Sequence, residues 1–306
     1  MSVLAFDSAR LISVTINGLA NGAILAITAL GFVLIYKATE VINFAQGQFL
    51  VVGAFMVYNA NKTWGLPWPL ALLVGIGSGV VLGLAIERLI LRRMIGESTL
   101  SVIMVTIGLA SALGGAALGV WGADGRPGPK FIPSGPVHLF GDVSVAANRF
   151  WAVGVAAAML IAVGLFFRRS RHGVAMRAVA DDQQAAMVQG ISVNRIFAMA
   201  WALAGAAGAI GGVLLASIAG SYGLDMQAFA IYVFPVVILG GLDSVLGTVV
   251  GGVIVGLLVE YSKSYIHEFG GISPVSWSVI LPFAALVAIL LVKPYGLFGQ
   301  ARIERV

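Results

Sequence analysis

The sequence predicts an all-α polytopic membrane protein, and three observations carry that prediction. Of 306 residues, 59% are hydrophobic and only 10% charged, whereas a soluble domain carries about 25% charged residues. Seven uncharged runs reach at least 18 residues, at 11–36, 41–61, 63–86, 98–123, 150–167, 196–224 and 269–292. A bilayer core of about 30 Å takes roughly 20 apolar residues in a helix. Forty glycines would weaken soluble helices, yet glycine is common where membrane helices pack closely. These figures exclude a soluble enzyme and a disordered chain. Nucleic acid is excluded as well, because the basic residues lie between apolar runs and not on one folded face. With no cysteine, the chain has neither disulfides nor thiolate chemistry. Its solvent is the lipid bilayer.

Taken in order, the first run is far longer than the apolar core of a signal peptide, about 7–15 residues, and no small-x-small site closes it. It reads as a retained first span. Six further runs predict spans of their own. The shorter stretches 226–242 and 244–259 are separated only by Asp243. They predict either two short tilted spans, about nine in all, or a re-entrant hairpin added to seven spans. Both counts are odd, so the two ends of the chain lie on opposite sides. Residues 121–149, rich in Pro and Gly, predict an irregular loop. Residues 168–195 are basic at the start and proline-free, and they predict a helical connection. One domain, 1–306, is the economical organisation.

Twelve Lys and Arg fall on the side of 168–195, among them Lys37, Arg93, Arg177, Lys293, Arg302 and Arg305, against six on the other. The positive-inside rule therefore predicts a cytoplasmic 168–195 and C-terminus, with the N-terminus outside.

Polar residues within the spans are few, so each asks for a reason. Ser13, Asn17, Asn21, Thr28 and Gly31 share one stripe of the first span at 100° per residue. The second run opens with Asn43, Gln46 and Gln48. Polar side chains in a membrane face a neighbouring helix or a solute path. Interhelical hydrogen bonding, worth about 0.6 kcal/mol per pair, and a pathway lined by Asn17, Asn21, Thr28, Asn43, Gln46 and Gln48 both fit this pattern. Gly75, Gly79 and Gly83 stand at spacing four, as do Gly208 and Gly212, Gly247 and Gly251, and Gly252 and Gly256. That spacing predicts Gly-rich helix packing.

Ionisable residues fall at the predicted span ends, and His138, His172 and His267 fall in loops. Proton coupling calls for titratable groups at membrane depth, and the sequence predicts none there. Sodium coupling through carbonyls and hydroxyls stays open. No Gly-Lys pair occurs anywhere, so the phosphate cradle of an ATPase is missing. The chain is read as a non-enzyme without a cofactor of its own.

Three segments carry a resemblance to a known family. The first is Gly31 to Tyr36 running into VINFAQGQF at 41–49. The second is MRAVADDQQAAMVQGISV at 176–193, and the third is LGGLDSVLGTVVGG at 239–252. Together they resemble the permease subunits of branched-chain amino acid (Leu/Ile/Val) ABC importers over nearly the whole chain. The resemblance implies a second homologous permease, two ABC ATPase subunits that bind the ATP, and an extracytoplasmic solute-binding protein. It also implies that the 168–195 loop couples to an ATPase through Arg177, Asp181, Gln184, Ala185, Ala186 and Gly190. ABC importers in general have Glu-Ala-Ala-x-x-x-Gly there, and this chain has Gln184 in place of the Glu. Leu246 stands where many relatives have proline. Residues 178–189 are expected to form one short helix, ended at Gly190 by a residue with positive φ.

The expected function is an ATP-driven importer permease for branched-chain or related hydrophobic amino acids in the cytoplasmic membrane. A permease of the same family for urea or short amides, an ion-coupled secondary carrier and a purely structural subunit are the alternatives. A self-sufficient carrier has no use for an ATPase dock, and a structural subunit none for the carboxamides at 43–48.

Overall fold

The structure is a computed structural model that describes residues 8–139, 143–266 and 273–299. Arg302, Arg305 and His267 lie outside the described residues. The sequence-predicted architecture is found: an all-α bundle with, among the described residues, seven helices long and apolar enough to cross a membrane. These are α1 (Ser8–Thr39), α3 (Trp68–Leu89), α4 (Thr99–Trp121), α5 (Ala147–Arg169), α8 (Val193–Ala219), α10 (Val245–Tyr265) and α11 (Pro274–Val292). Two shorter elements complete the bundle. One is α2 (Gln46–Tyr58), continued by a π-turn over Asn59–Thr63; the other is a 3₁₀ segment, Leu224–Tyr232, running into α9 (Val233–Gly240). At 1.5 Å per residue α2 is about 20 Å long, too short for the apolar core alone. Helices α6 (Arg171–Asp181) and α7 (Gln183–Val188) connect α5 to α8.

Contacts at the helix ends sort the chain into two faces. The N-face holds the start of α1, where the Arg10 guanidinium donates to the Ser264 carbonyl oxygen at the end of α10. On the C-face, Lys37 Nζ donates to the Asp243 carbonyl oxygen, and residues 297–298 hydrogen-bond to Leu239 and Gly240. Helix α10 thus runs alongside α1 in the opposite sense. Of the stretch 226–259, α10 is one of the seven long helices, and 224–240 is a shorter apolar segment packed against it. Residues 122–146 carry two short strand pairs, Arg126–Pro127 with Ser221–Tyr222 and Pro136–His138 with Ser144–Ala146. The expected loop is thereby pinned to the segment after α8.

Helices α1 and α8 are the centre, with 83% and 67% of their most apolar windows buried, against 17% for α11. The outer helices turn Leu100, Val120, Ile161 and Leu291 outward. Lipid tails are as apolar as these side chains.

Glycine sets how closely the central helices meet. A Cβ on Gly22 would fall 2.5 Å from the Gly252 carbonyl oxygen, so α1 and α10 touch backbone to backbone. Gly79 and Gly205 meet in the same way between α3 and α8, each leaving no room for a side chain on the other. Gly83 and Gly256 lie on the same two seams, whereas Gly75, Gly208 and Gly212 meet α2, and Gly247 and Gly251 meet α9; every spacing-four glycine thus faces a close helix neighbour, as the sequence predicts.

Candidate functional site

Helix α1 ends at Thr39, and Glu40 takes a positive φ of 58°. The next residues are non-helical until Gln46, although Asn43, Ala45 and Gln46 are almost fully buried. Gln46 sits against Gly31 of α1, eight residues before the end of that helix and therefore about 12 Å up it. Irregular backbone at that depth survives only where its polar groups find partners. The side chains supply them. Asn43 Oδ1 accepts from the Ala45 amide at 3.0 Å, and Thr39 Oγ1 accepts from the Val41 amide at 3.3 Å. From α4, Thr106 Oγ1 accepts from the Phe44 amide at 3.4 Å and donates to the Ile42 carbonyl at 3.1 Å or to Ile103 of its own helix at 2.9 Å.

The expected pathway residues meet different neighbours. Thr28 donates to Ile24 of its own helix and packs against Gly211. Gln46 Oε1 accepts from Asn43 at 3.3 Å, and its Nε2 has no partner among the described residues. Gln48 points another way: its Nε2 donates to Gln227 Oε1 at 2.7 Å, beside Gly114 of α4. Asn17 is half-buried nearer the N-face, and Asn21 reaches α10. The reason is the central place of α1. A helix packed on nearly every side has neighbours all round, so successive positions of its stripe meet different helices.

Sequence reasoning missed the partner of Asn21. Its Nδ2 donates to Glu260 Oε1 at 2.6 Å, and Lys263 Nζ lies 3.6 Å from the same oxygen. Glu260 is a residue of α10, not the end of a span, because the helix continues to Tyr265. Helix α10 thus carries Glu260 and Lys263 beyond the uncharged stretch 244–259. Asn21, Glu260 and Lys263 line a cavity of about 260 Å³ together with Arg149 of α5, Tyr232 and apolar residues of α1, α8 and α10.

The connection between α5 and α8 is two helices, not the single helix expected over 178–189. Asp182 breaks it, with φ −156° and ψ 110°. Its carboxylate accepts from the Gln184 and Ala185 amides at 2.8 and 2.9 Å, which is what an N-cap aspartate does. At the other end Gly190 has φ 80°. The Gly190 amide donates to Met187 and the Ile191 amide to Ala186, a Schellman closure. The six expected coupling residues divide into two groups. Asp181, Gln184, Ala185 and Gly190 are exposed. Arg177 turns inward to donate to the Phe167 carbonyl at 2.6 Å, closing the end of α5. Ala186 is 3% exposed and packs against residues of α1 and α8. Met187 and Val188, which the sequence reading passed over, project instead, Val188 at 86% exposure. Leu246 is exposed in the first turn of α10, where proline and leucine are both accommodated. The local break belongs to Gly241, at φ 105°, rather than to a proline.

A family described as the permease component of branched-chain amino acid transport systems matches residues 14–290. The chain belongs to that family. The permease is 27% identical to the high-affinity branched-chain amino acid transport system permease protein LivH of Salmonella typhimurium, over 95% of this chain and 96% of that one. It is 26% identical to BraD of Pseudomonas aeruginosa over the same shares. The autoinducer 2 import system permease protein LsrD of Salmonella paratyphi B is 27% identical over 78% of this permease and 71% of its own length. Relatives with different solutes thus share one scaffold, and the solute has to be sought in particular side chains.

Proposed function

We propose that this chain is the membrane-spanning subunit of an ATP-driven importer that moves branched-chain or related hydrophobic amino acids across the cytoplasmic membrane. Its partners in this reading are a second homologous permease, two ABC ATPase subunits and an extracytoplasmic solute-binding protein. The N-terminus lies outside and the C-terminus in the cytoplasm, as the excess of Lys and Arg on the C-face supports. ATP is bound by the partner ATPases; the absence of any Gly-Lys pair in the chain supports this.

The observation that carries the reading is the α7 turn on the C-face. It is capped at both ends by Asp182 and Gly190, pinned from behind by Ala186, and it offers Met187 and Val188 outward. A connector with no partner has no need of an apolar tip on a rigid, doubly capped turn. Such a turn can pass a rigid-body movement from an ATPase to α5 and α8, between which it is strung.

Reconstitution of the full complex in liposomes tests the reading. Leucine uptake should require ATP, both ATPases and the binding protein, and excess urea should not compete. Uptake driven by a proton or sodium gradient without the ATPases would establish the ion-coupled carrier instead.

A further inference from the structure

We propose that the N-face cavity is a site on the permease itself for a free zwitterionic amino acid with an aliphatic side chain. The proposal rests on the importer reading and deepens it by naming the groups that recognise the solute.

The cavity has two kinds of wall. Leu25, Leu215, Ile218, Phe229 and Val259 form an apolar part, and Arg149, Glu260 and Lys263 a charged part. Arg149 carries the decisive feature. Its Nη1 is buried and has no hydrogen-bond partner among the described residues. A buried cationic donor left open is costly. The acceptor that fits a guanidinium best is a carboxylate, held by parallel N–H···O bonds. Glu260 complements it. Asn21 and Lys263 both approach Oε1, and neither contact involves Oε2, which stays available to an ammonium group.

The charges select for a zwitterion. A carboxylate without an amine meets Glu260 unscreened, and an amine without a carboxylate faces Arg149 and Lys263. A free amino acid satisfies both ends while its side chain covers the apolar wall. Polar and apolar residues share the lining about equally, and in a small-molecule site such placed polar groups fix the orientation of the ligand. The position fits as well: Arg149 is in the first turn of α5, and Lys263 and Ala219 are near the last residues of α10 and α8. A solute arriving at the N-face reaches this cavity before the buried carboxamides. Binding there has to be weak enough for release inward, as in any conducting path.

The chain has no cysteine, so a single cysteine at Ala219, an exposed lining residue, reports on occupancy. In the assembled complex in proteoliposomes, the rate of maleimide labelling is measured against L-leucine, 4-methylpentanoate and 3-methylbutylamine. L-Leucine should slow labelling, and each analogue lacking one charged group should need about tenfold more for the same effect. Arg149→Gln and Glu260→Gln should each raise the protecting concentration of leucine about tenfold. Arg149→Lys, which keeps the charge, should recover part of the loss and controls for folding. Equal protection by leucine in the Gln variants, or by either analogue in the parent protein, would overturn the proposal while leaving the importer reading intact. ATP-driven leucine uptake is followed in the same vesicles. Its absence in the parent protein would sink the importer reading, and the labelling data would still decide the site.

Discussion

A Cβ on Gly31 would lie 2.6 Å from Nε2 of Gln46: the missing side chain on α1 makes the room that the carboxamide at the head of α2 occupies. Both residues belong to the motif segment 31–49, and their contact explains why that segment needs a glycine fifteen residues before Gln46, where the helix resumes. The nearest atom that a Cβ on Gly31 would meet is thus the end of a flexible side chain, with the Ala204 carbonyl oxygen next at 3.1 Å. At Gly79 the obstacle is the backbone of Gly205.

Gly31→Ala and Gly79→Ala should therefore differ in kind. Overpacking against backbone costs about 1–3 kcal/mol, so Gly79→Ala should lower the melting temperature of the purified protein. Gly31→Ala should lower it less and still cut uptake, because the Gln46 carboxamide is displaced. A larger thermal loss in Gly31→Ala would show that the Gln46 contact is structural only.

Thr106 holds the non-helical backbone at 42–44, whereas Thr28 bonds only its own helix. Thr106→Val strips the Ile42 carbonyl and the Phe44 amide of a buried partner, at about 1–3 kcal/mol. Thr106→Ser should keep most of the stability, and Thr28→Val should change it little. Thermal unfolding of the three variants in detergent checks the order.

Asn43 and Gln46, adjacent in the motif, should also separate. Asn43 feeds the Ala45 amide and the Gln46 carboxamide, so Asn43→Leu should impair assembly. Gln46→Leu removes an unpartnered buried amide nitrogen, so the complex should assemble normally and lose transport. Size-exclusion profiles and uptake rates read the two effects apart. Full uptake by an assembled Gln46→Leu complex would remove Gln46 from the path.

The spans, the glycine seams and the positive φ at Gly190 are legible in the sequence because each follows from a local rule: run length, spacing four, and the end of an Ala-rich stretch. What is not legible depends on a partner distant in the chain or on a tie between neighbours. Asp181 and Asp182 are equivalent by composition, and only the fold shows that Asp182 caps α7. Glu260 lies one residue past the uncharged run 244–259, where a charge reads as the end of a span. The helix goes on for another turn, and the partnership of Glu260 with Asn21 follows from that. Thr106 sits in an apolar run where a lone threonine ordinarily serves its own helix. Its role appears once 42–44 is seen beside it.

Side-specific labelling reads the orientation directly. Ser134 and Ser192 are both exposed, one in the N-face loop and one just before α8 on the C-face. Single cysteines there should react with an impermeant maleimide from opposite sides of sealed cells or inverted vesicles, Ser134→Cys from outside. Reaction of Ser134→Cys from the cytoplasmic side alone would reverse the proposed orientation.

Energy coupling offers the sharpest test, since exposure separates residues two positions apart. Val188→Asp changes a side chain that touches little of the permease; the membrane part should fold, and the ATPases should bind weakly or hydrolyse ATP without transport. Ala186→Asp places an unpaired carboxylate in the cluster with Leu34, Ala38 and Phe197. Burying such a charge is costly, so this variant should fail to fold rather than uncouple. Gly190→Val forces a β-branched residue to φ near 80°, at about 1–2 kcal/mol, and loosens the Schellman closure without adding charge. It should give a folded, partly uncoupled complex, read as leucine transported per ATP hydrolysed. If Val188→Asp and Gly190→Val both keep the wild-type ratio and bind the ATPases normally, α7 is only a connector, and the coupling contact must lie elsewhere on the C-face.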